Sequence, residues 1–134
     1  NTSGDNRAMS PTPRTDSLHV ACLCAAWCRT CESYADTFRA AADTLAREGL
    51  AVARWHWVDI EDEADLVGDL DIVTFPTLLV FDDGGIRHAG PIPPQPEQLL
   101  RLLRAVCAPG HRADPALQGD ADWRAIVQGL RARG

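Results

Sequence analysis

Apolar residues fall along this chain in short blocks whose spacing switches between the period of a strand and that of a helix. Leu18 to Ala26 (LHVACLCAA) is a largely apolar run that reads as a short buried strand. From Arg29 onward Tyr34, Phe38, Ala41, Ala42 and Leu45 recur at helical intervals, and Gly49 closes the pattern. Leu50 to Val58 (LAVARWHWV) alternates, with Ala51, Ala53, Trp55 and Trp57 on one face and Val52, Arg54 and His56 on the other. Asp59 begins an acidic turn, and a short helix is predicted from about Glu63 to Leu70. Thr77 to Phe81 (TLLVF) is a dense apolar strand behind Pro76; Asp82-Asp83-Gly84-Gly85 is a hairpin turn, and Ile86 to Ala89 returns from it. An extended stretch over 90–94 leads to Pro96, which suits the first turn of a helix running through Cys107, apolar at Leu99, Leu100, Leu102, Leu103 and Val106. Pro109-Gly110 ends that helix, and Asp120 reads as the N-cap of a last one carrying Trp123, Ile126, Val127 and Leu130 on one face.

The predicted order is β-α-β-α-β-β-α with one added helix. A parallel strand pair joined by a crossover helix and followed by a hairpin implies a mixed α/β sheet with helices on both faces. A length of 134 residues, 46% of them hydrophobic, suits one domain with its own core. A formal charge of −6 argues against nucleic acid and anionic membrane as partners. No apolar run approaches the ~18 residues of a membrane span. All thirteen basic residues are arginine, a coding bias expected of a GC-rich, bacterial source. Residues 1–17 are polar, contain Pro11 and Pro13, and lack the apolar core of a signal peptide, so they are expected to form a flexible N-terminal segment. With five cysteines, an odd number, a complete internal disulfide framework is impossible, and a reducing cytoplasm fits best; a periplasmic location is the alternative if a signal peptide has been removed.

The stretch with most chemistry is Trp27-Cys28-Arg29-Thr30-Cys31, where the first strand hands over to a helix N-terminus. Unpaired backbone N–H groups and the positive end of the helix dipole stabilise an anion there. A free cysteine has a pKa of roughly 8.5, and such settings commonly favour its thiolate. The motif thus offers a nucleophilic sulfur and, one turn away, a second sulfur able to close a disulfide with it. Cys22-X-Cys24-X3-Cys28-X2-Cys31 also has four sulfurs within ten residues, which raises a zinc site as an alternative. Against zinc, a strand running into a helix carries Cys22 and Cys24 into the core, where they are expected as small buried residues. Cys107 reads as an incidental thiol, and His19, His56, His88 and His111 show no spacing that suggests a metal or catalytic site and are expected to be structural or solvated.

With these residues in hand, the chain resembles the thioredoxin family. The resemblance rests on Trp27-Cys28-X-X-Cys31 after the first strand, Val58-Asp59 ending the next, Phe75-Pro76-Thr77-Leu78-Leu79-Val80-Phe81, the turn at Gly84-Gly85, and Gly90. It spans roughly residues 18–107, expected as the thioredoxin-like domain, with 108–134 a C-terminal helical extension. The resemblance implies a thioredoxin-like α/β fold, with little room for the family's first strand and helix. It also implies a cis bond before Pro76, an attacking Cys28, a resolving Cys31, and substrate lying along Trp27, Phe75 and Pro76. Arg29-Thr30 stands between the cysteines where Gly-Pro is usual in thioredoxins proper. Cys22 stands where the family typically has a buried aspartate, so Arg29, Thr30 and Cys22 are the expected tuning positions.

The function expected on this reading is thiol–disulfide exchange between the Cys28–Cys31 pair and disulfide-containing or dithiol protein substrates, reset by an unidentified electron donor or acceptor. No metal or organic cofactor is required, and the chain is expected to be a monomer. A neutral Cys22 in place of a buried carboxylate predicts a more oxidising pair that resolves mixed disulfides more slowly. The competing expectation is a thioredoxin-fold interaction module with little turnover, binding partners through the Pro76 groove or the last helix.

Overall fold

In a computed structural model of the chain, residues 18–133 are described, apart from positions 26, 51, 69, 71, 73, 109, 110, 112 and 114. The expected N-terminal segment, residues 1–17, lies outside the described residues. The elements are β1 (His19–Cys24), α1 (Arg29–Arg47), β2 (Arg54–Asp59), α2 (Ala64–Val67), β3 (Thr77–Asp82), β4 (Gly85–Pro91), α3 (Pro96–Val106), α4 (Pro115–Gln118) and α5 (Ala121–Arg133). The described strands lie in the order β2-β1-β3-β4. β1 runs parallel to β2 and antiparallel to β3, and β3 pairs antiparallel with β4 through the hairpin. This is the mixed sheet that the crossover helix and the hairpin turn required.

The period of two along β1 divides the core. Leu18, Val20, Cys22 and Cys24 face one side and pack with Tyr34, Phe38, Ala41 and Leu45 of α1 and Leu99, Leu103 and Val106 of α3. Ala21 and Leu23 face the other side and pack with Val58, Leu79, Phe81 and the apolar stripe of α5. β3 is buried over its whole length because it is central and covered on both faces. Helix α1 stops where Gly49 takes a φ of +83°, and the Leu50 N–H then donates back to Leu45 O at 2.8 Å. The last helix forms as its pattern predicts: Asp120 Oδ1 accepts from the N–H groups of Asp122 and Trp123, and Trp123, Ile126, Val127 and Leu130 are all buried.

Several boundaries differ from expectation. β2 begins at Arg54 instead of Leu50, and α2 is a single turn closed by Gly68 at φ +63° instead of reaching Leu70. The short helix α4, inside a stretch expected as loop, lets Gln118 pair with Ile86 both ways, its Oε1 accepting from the backbone N–H and its Nε2 donating to the carbonyl. No helix of the described residues is long and apolar enough to cross a membrane.

Strand pairing also gives two of the histidines a structural contact. β1 and β2 bring His19 beside His56, with 2.9 Å between Nδ1 and Nε2 and their rings stacked. Residues 37 apart carry no spacing signal; strand register alone makes them neighbours. Burial first, and then the positive charge of a protonated His19, Arg54 and Arg133, push the His56 pKa down to about 4. The unfolded histidine takes up its proton near 6.5, so between those values the unfolded chain binds more protons than the folded one. Stability is therefore present above about pH 6.5 and is lost as the pH falls toward 4. Melting temperature measured across that window should drop on acidification, and His56→Gln should flatten the curve. An unchanged slope in that variant would assign the acid sensitivity elsewhere.

Candidate active site

Cys28 sits at the hinge between β1 and α1. Its own N–H donates to Ala25 O at 3.0 Å, closing a tight turn, and its carbonyl accepts the first helical bond from Glu32 N at 3.1 Å. It is the N-cap of a 19-residue helix, has extended backbone (φ −89°, ψ 120°), and its side chain makes no capping hydrogen bond. The Cys28 thiol is free and half-buried, at the end of the helix whose unpaired N–H groups attract negative charge. Arg29, Thr30 and Glu32 beside it are exposed.

Trp27 is 66% exposed, unusual for so large an apolar side chain. Its ring stands edge-on to Phe75, centroids 5.6 Å apart, so the motif loop and the segment before β3 lie side by side. The Phe75–Pro76 peptide is cis, as the resemblance implied. Thr77 Oγ1 donates to Thr74 O at 2.6 Å and the Ile92 N–H donates to Pro76 O at 3.1 Å, fixing both sides of that turn. Pro76 itself is buried, which leaves Trp27, Phe75 and Cys28 as the accessible part of the expected groove.

The sulfur pairing differs from expectation. Cys31 is bonded to Cys24, with Cα atoms 5.7 Å apart, in place of the expected Cys28–Cys31 bond. The reading of Cys24 as a core residue and nothing more is therefore corrected: it is buried, but it carries a covalent bond. The physical reason is strand parity. Cys22 and Cys24 alternate onto the β1 face that α1 covers, and Cys31 heads the buried stripe of α1 that continues through Tyr34, Phe38, Ala41 and Leu45. Running into the core brought Cys24 toward the helix instead of away from it. Cys22 remains a free thiol, fully buried, with its Sγ 3.8 Å from Cys24 Sγ. Burial pushes its pKa far up, so it stays protonated, as expected of a thiol in the place of an acid. Cys107 is likewise buried and free, its pKa raised by the same cause.

Cys24 and Cys31 line a cleft of about 290 Å³ together with Ala25, Glu32, Trp57 and Asp59. Asp59 ends β2 and turns the chain, its Oδ1 accepting from the N–H groups of Glu61 and Asp62 at 2.9 and 3.2 Å. Trp57 and Trp55 both pack on Phe38 of α1. Sequence reasoning missed this cleft, because its walls come from the ends of β1 and β2 and the first turns of α1.

The Thioredoxin family model matches residues 12–103. A Schizosaccharomyces pombe protein provisionally named a protein disulfide-isomerase is 31% identical over 85 residues, covering 63% of this chain and 17% of that protein. Protein disulfide isomerase-like 1-4 of Arabidopsis thaliana is 38% identical over 60 residues, covering 45% of this chain and 10% of its own length. The chain thus spans less than a fifth of either of these curated relatives. Among solved structures, oxidised thioredoxin from Plasmodium falciparum superposes with a TM-score of 0.55 at 20% identity, over 69% of this chain and 83% of that one. The zinc-bound form of human ERp44 gives 0.56 at 20% identity, over 67% of this chain and 27% of that one. At such identities the structural likeness is one of fold.

Proposed function

The chain belongs to the thioredoxin family, and we propose that it is a thiol–disulfide oxidoreductase acting on protein disulfides through Cys28. The observation that carries the reading is a free, half-buried thiol at the N-terminus of a long helix, beside an exposed Trp27 and the cis Phe75–Pro76 turn. Cys28 as thiolate attacks one sulfur of a substrate disulfide, and the other substrate sulfur leaves with the bonding electrons. Cys31, when it is a thiol, then attacks Cys28 Sγ; the substrate is released reduced, and Cys28–Cys31 is left oxidised. Arg29 next to the nucleophile adds positive charge, and the buried neutral Cys22 adds none of the negative charge a carboxylate would. On this reading the pair is more oxidising than in thioredoxins proper. Protein substrates with accessible disulfides or dithiols, a separate electron donor or acceptor, and a monomeric state in the cytoplasm complete the reading.

Insulin reduction driven by a dithiol, followed by turbidity, tests it. Turnover well above the uncatalysed rate is expected. A protein that leaves the rate at background with the dithiol in excess would instead act as a binding module of the same fold.

A further inference from the structure

We propose that Cys24 is a third redox residue, and that Cys31 alternates between a surface-facing disulfide with Cys28 and a buried disulfide with Cys24. The proposal rests on the oxidoreductase reading only for what oxidises the pair; the sulfur geometry stands apart from it. Cys31 has two neighbouring cysteines, one on each side of the strand-to-helix junction in sequence. Cys24 approaches from the end of β1 and is the partner bonded in the structure. Cys28 lies three residues before Cys31 at the start of α1 and packs against the same core cluster.

The exchange balances without any outside oxidant. After a substrate disulfide has been reduced, Cys28 and Cys31 share a disulfide. The Cys24 sulfur attacks Cys31 Sγ, forming Cys24–Cys31 and breaking Cys28–Cys31. The electron pair of the broken bond goes to Cys28, which leaves as a thiolate at the helix N-terminus, where negative charge is favoured. The Cys24 proton passes to water in the cleft, whose wall carries the carboxylates of Glu32 and Asp59. In reverse, the Cys28 thiolate attacks Cys31 Sγ and Cys24 departs with the electron pair and is protonated.

Cys22 supports this arrangement. A disulfide-bonded Cys24 carries no proton, so in the 3.8 Å contact between the two sulfurs Cys22 S–H is the donor and Cys24 Sγ the acceptor. That donor points at the atom on which charge develops when Cys24 leaves. Cys22 itself remains a free thiol, since the strand places Cys24 and not Cys22 at bonding distance from Cys31.

The oxidised protein on this scheme keeps Cys28 free. A mixed disulfide formed at Cys28 in that state has no resolving thiol until Cys24–Cys31 is opened, so the buried bond switches the site from dithiol to monothiol chemistry.

The test is disulfide mapping of the full chain, oxidised with diamide, labelled with iodoacetamide while folded, then acid-quenched and digested without reduction. Cleavage after Leu23, Trp27 and Arg29 separates all four clustered cysteines. Expected is a Cys24–Cys31 cross-link in the wild type with Cys28 labelled, the same cross-link in Cys28→Ser, and a Cys28–Cys31 cross-link in Cys24→Ala. A wild type whose cross-link is Cys28–Cys31 alone, with Cys28 unlabelled, overturns the proposal even if insulin is reduced. So does a folded Cys28→Ser protein without an internal disulfide. A protein that shows the Cys24–Cys31 bond and leaves insulin untouched upholds the pairing and overturns the oxidoreductase reading instead.

Discussion

Cys28→Ser is expected to bring disulfide reduction down to the uncatalysed rate, a loss on the order of 10³-fold or more. It should do so with little change in melting temperature. The two expectations come from different parts of the structure. Cys28 is half-buried, forms its two main-chain hydrogen bonds through backbone atoms, and caps no N–H with its sulfur, so serine fits without leaving a cavity. The chemistry has no such tolerance. A serine hydroxyl is not ionised near neutral pH and is a far weaker nucleophile toward a disulfide sulfur than a thiolate. The other four cysteines, Cys22, Cys24, Cys31 and Cys107, are all buried, so none replaces it at the surface. The comparison is made by insulin reduction alongside thermal denaturation of the same preparations. Activity within tenfold of the wild type would mean that another sulfur attacks the substrate.

The fold was legible because its determinants are local and periodic. The change from an apolar run to helical spacing at Arg29, the Asp82–Gly85 turn and the Asp120 cap each fix a boundary from a few adjacent residues. The site was legible in part for the same reason: Cys28 and Cys31 are close in sequence and on one helix, and the motif marks the start of α1. What could not be read depended on register between elements distant in sequence. His19 meets His56 because β1 and β2 pair in parallel with His56 two residues beyond His19's partner Arg54, on the same face. Cys24 meets Cys31 because one turn and one helical turn together fold seven residues back on themselves. A parity argument could have found the second. Cys24 has the inward phase of β1 and Cys31 the inward phase of α1, so two buried sulfurs face one another at the junction.

Removing residues 120–134 is expected to unfold the domain or leave it without fixed packing. This follows from what α5 covers. On the sheet face away from α1 and α3, Ala21, Leu23, Val58, Leu79, Phe81 and Ile86 are buried together with Trp123, Ile126, Val127 and Leu130. Burying a large apolar side chain is worth roughly 1.5–3 kcal/mol, so four of them contribute about 6–12 kcal/mol as an upper bound. That is comparable to the whole net stability of an ordinary domain, about 5–15 kcal/mol. The truncated chain would also expose the sheet residues beneath. Polar ties are lost as well: Arg131 donates to Asp82 O at 2.6 Å and lies over the Phe81 ring, and Arg133 pairs with Glu63. Leu130→Ala gives the graded version of the experiment. Its side chain is fully buried, and such truncations cost about 2–5 kcal/mol. For a chain of this size that corresponds to a fall in melting temperature of about 10 °C. Circular dichroism of the truncated and substituted proteins reads both effects. A truncated protein that melts cooperatively at the wild-type temperature would show that α5 rests on a sheet stable without it, and the stability of this face would then have to come from the strands alone.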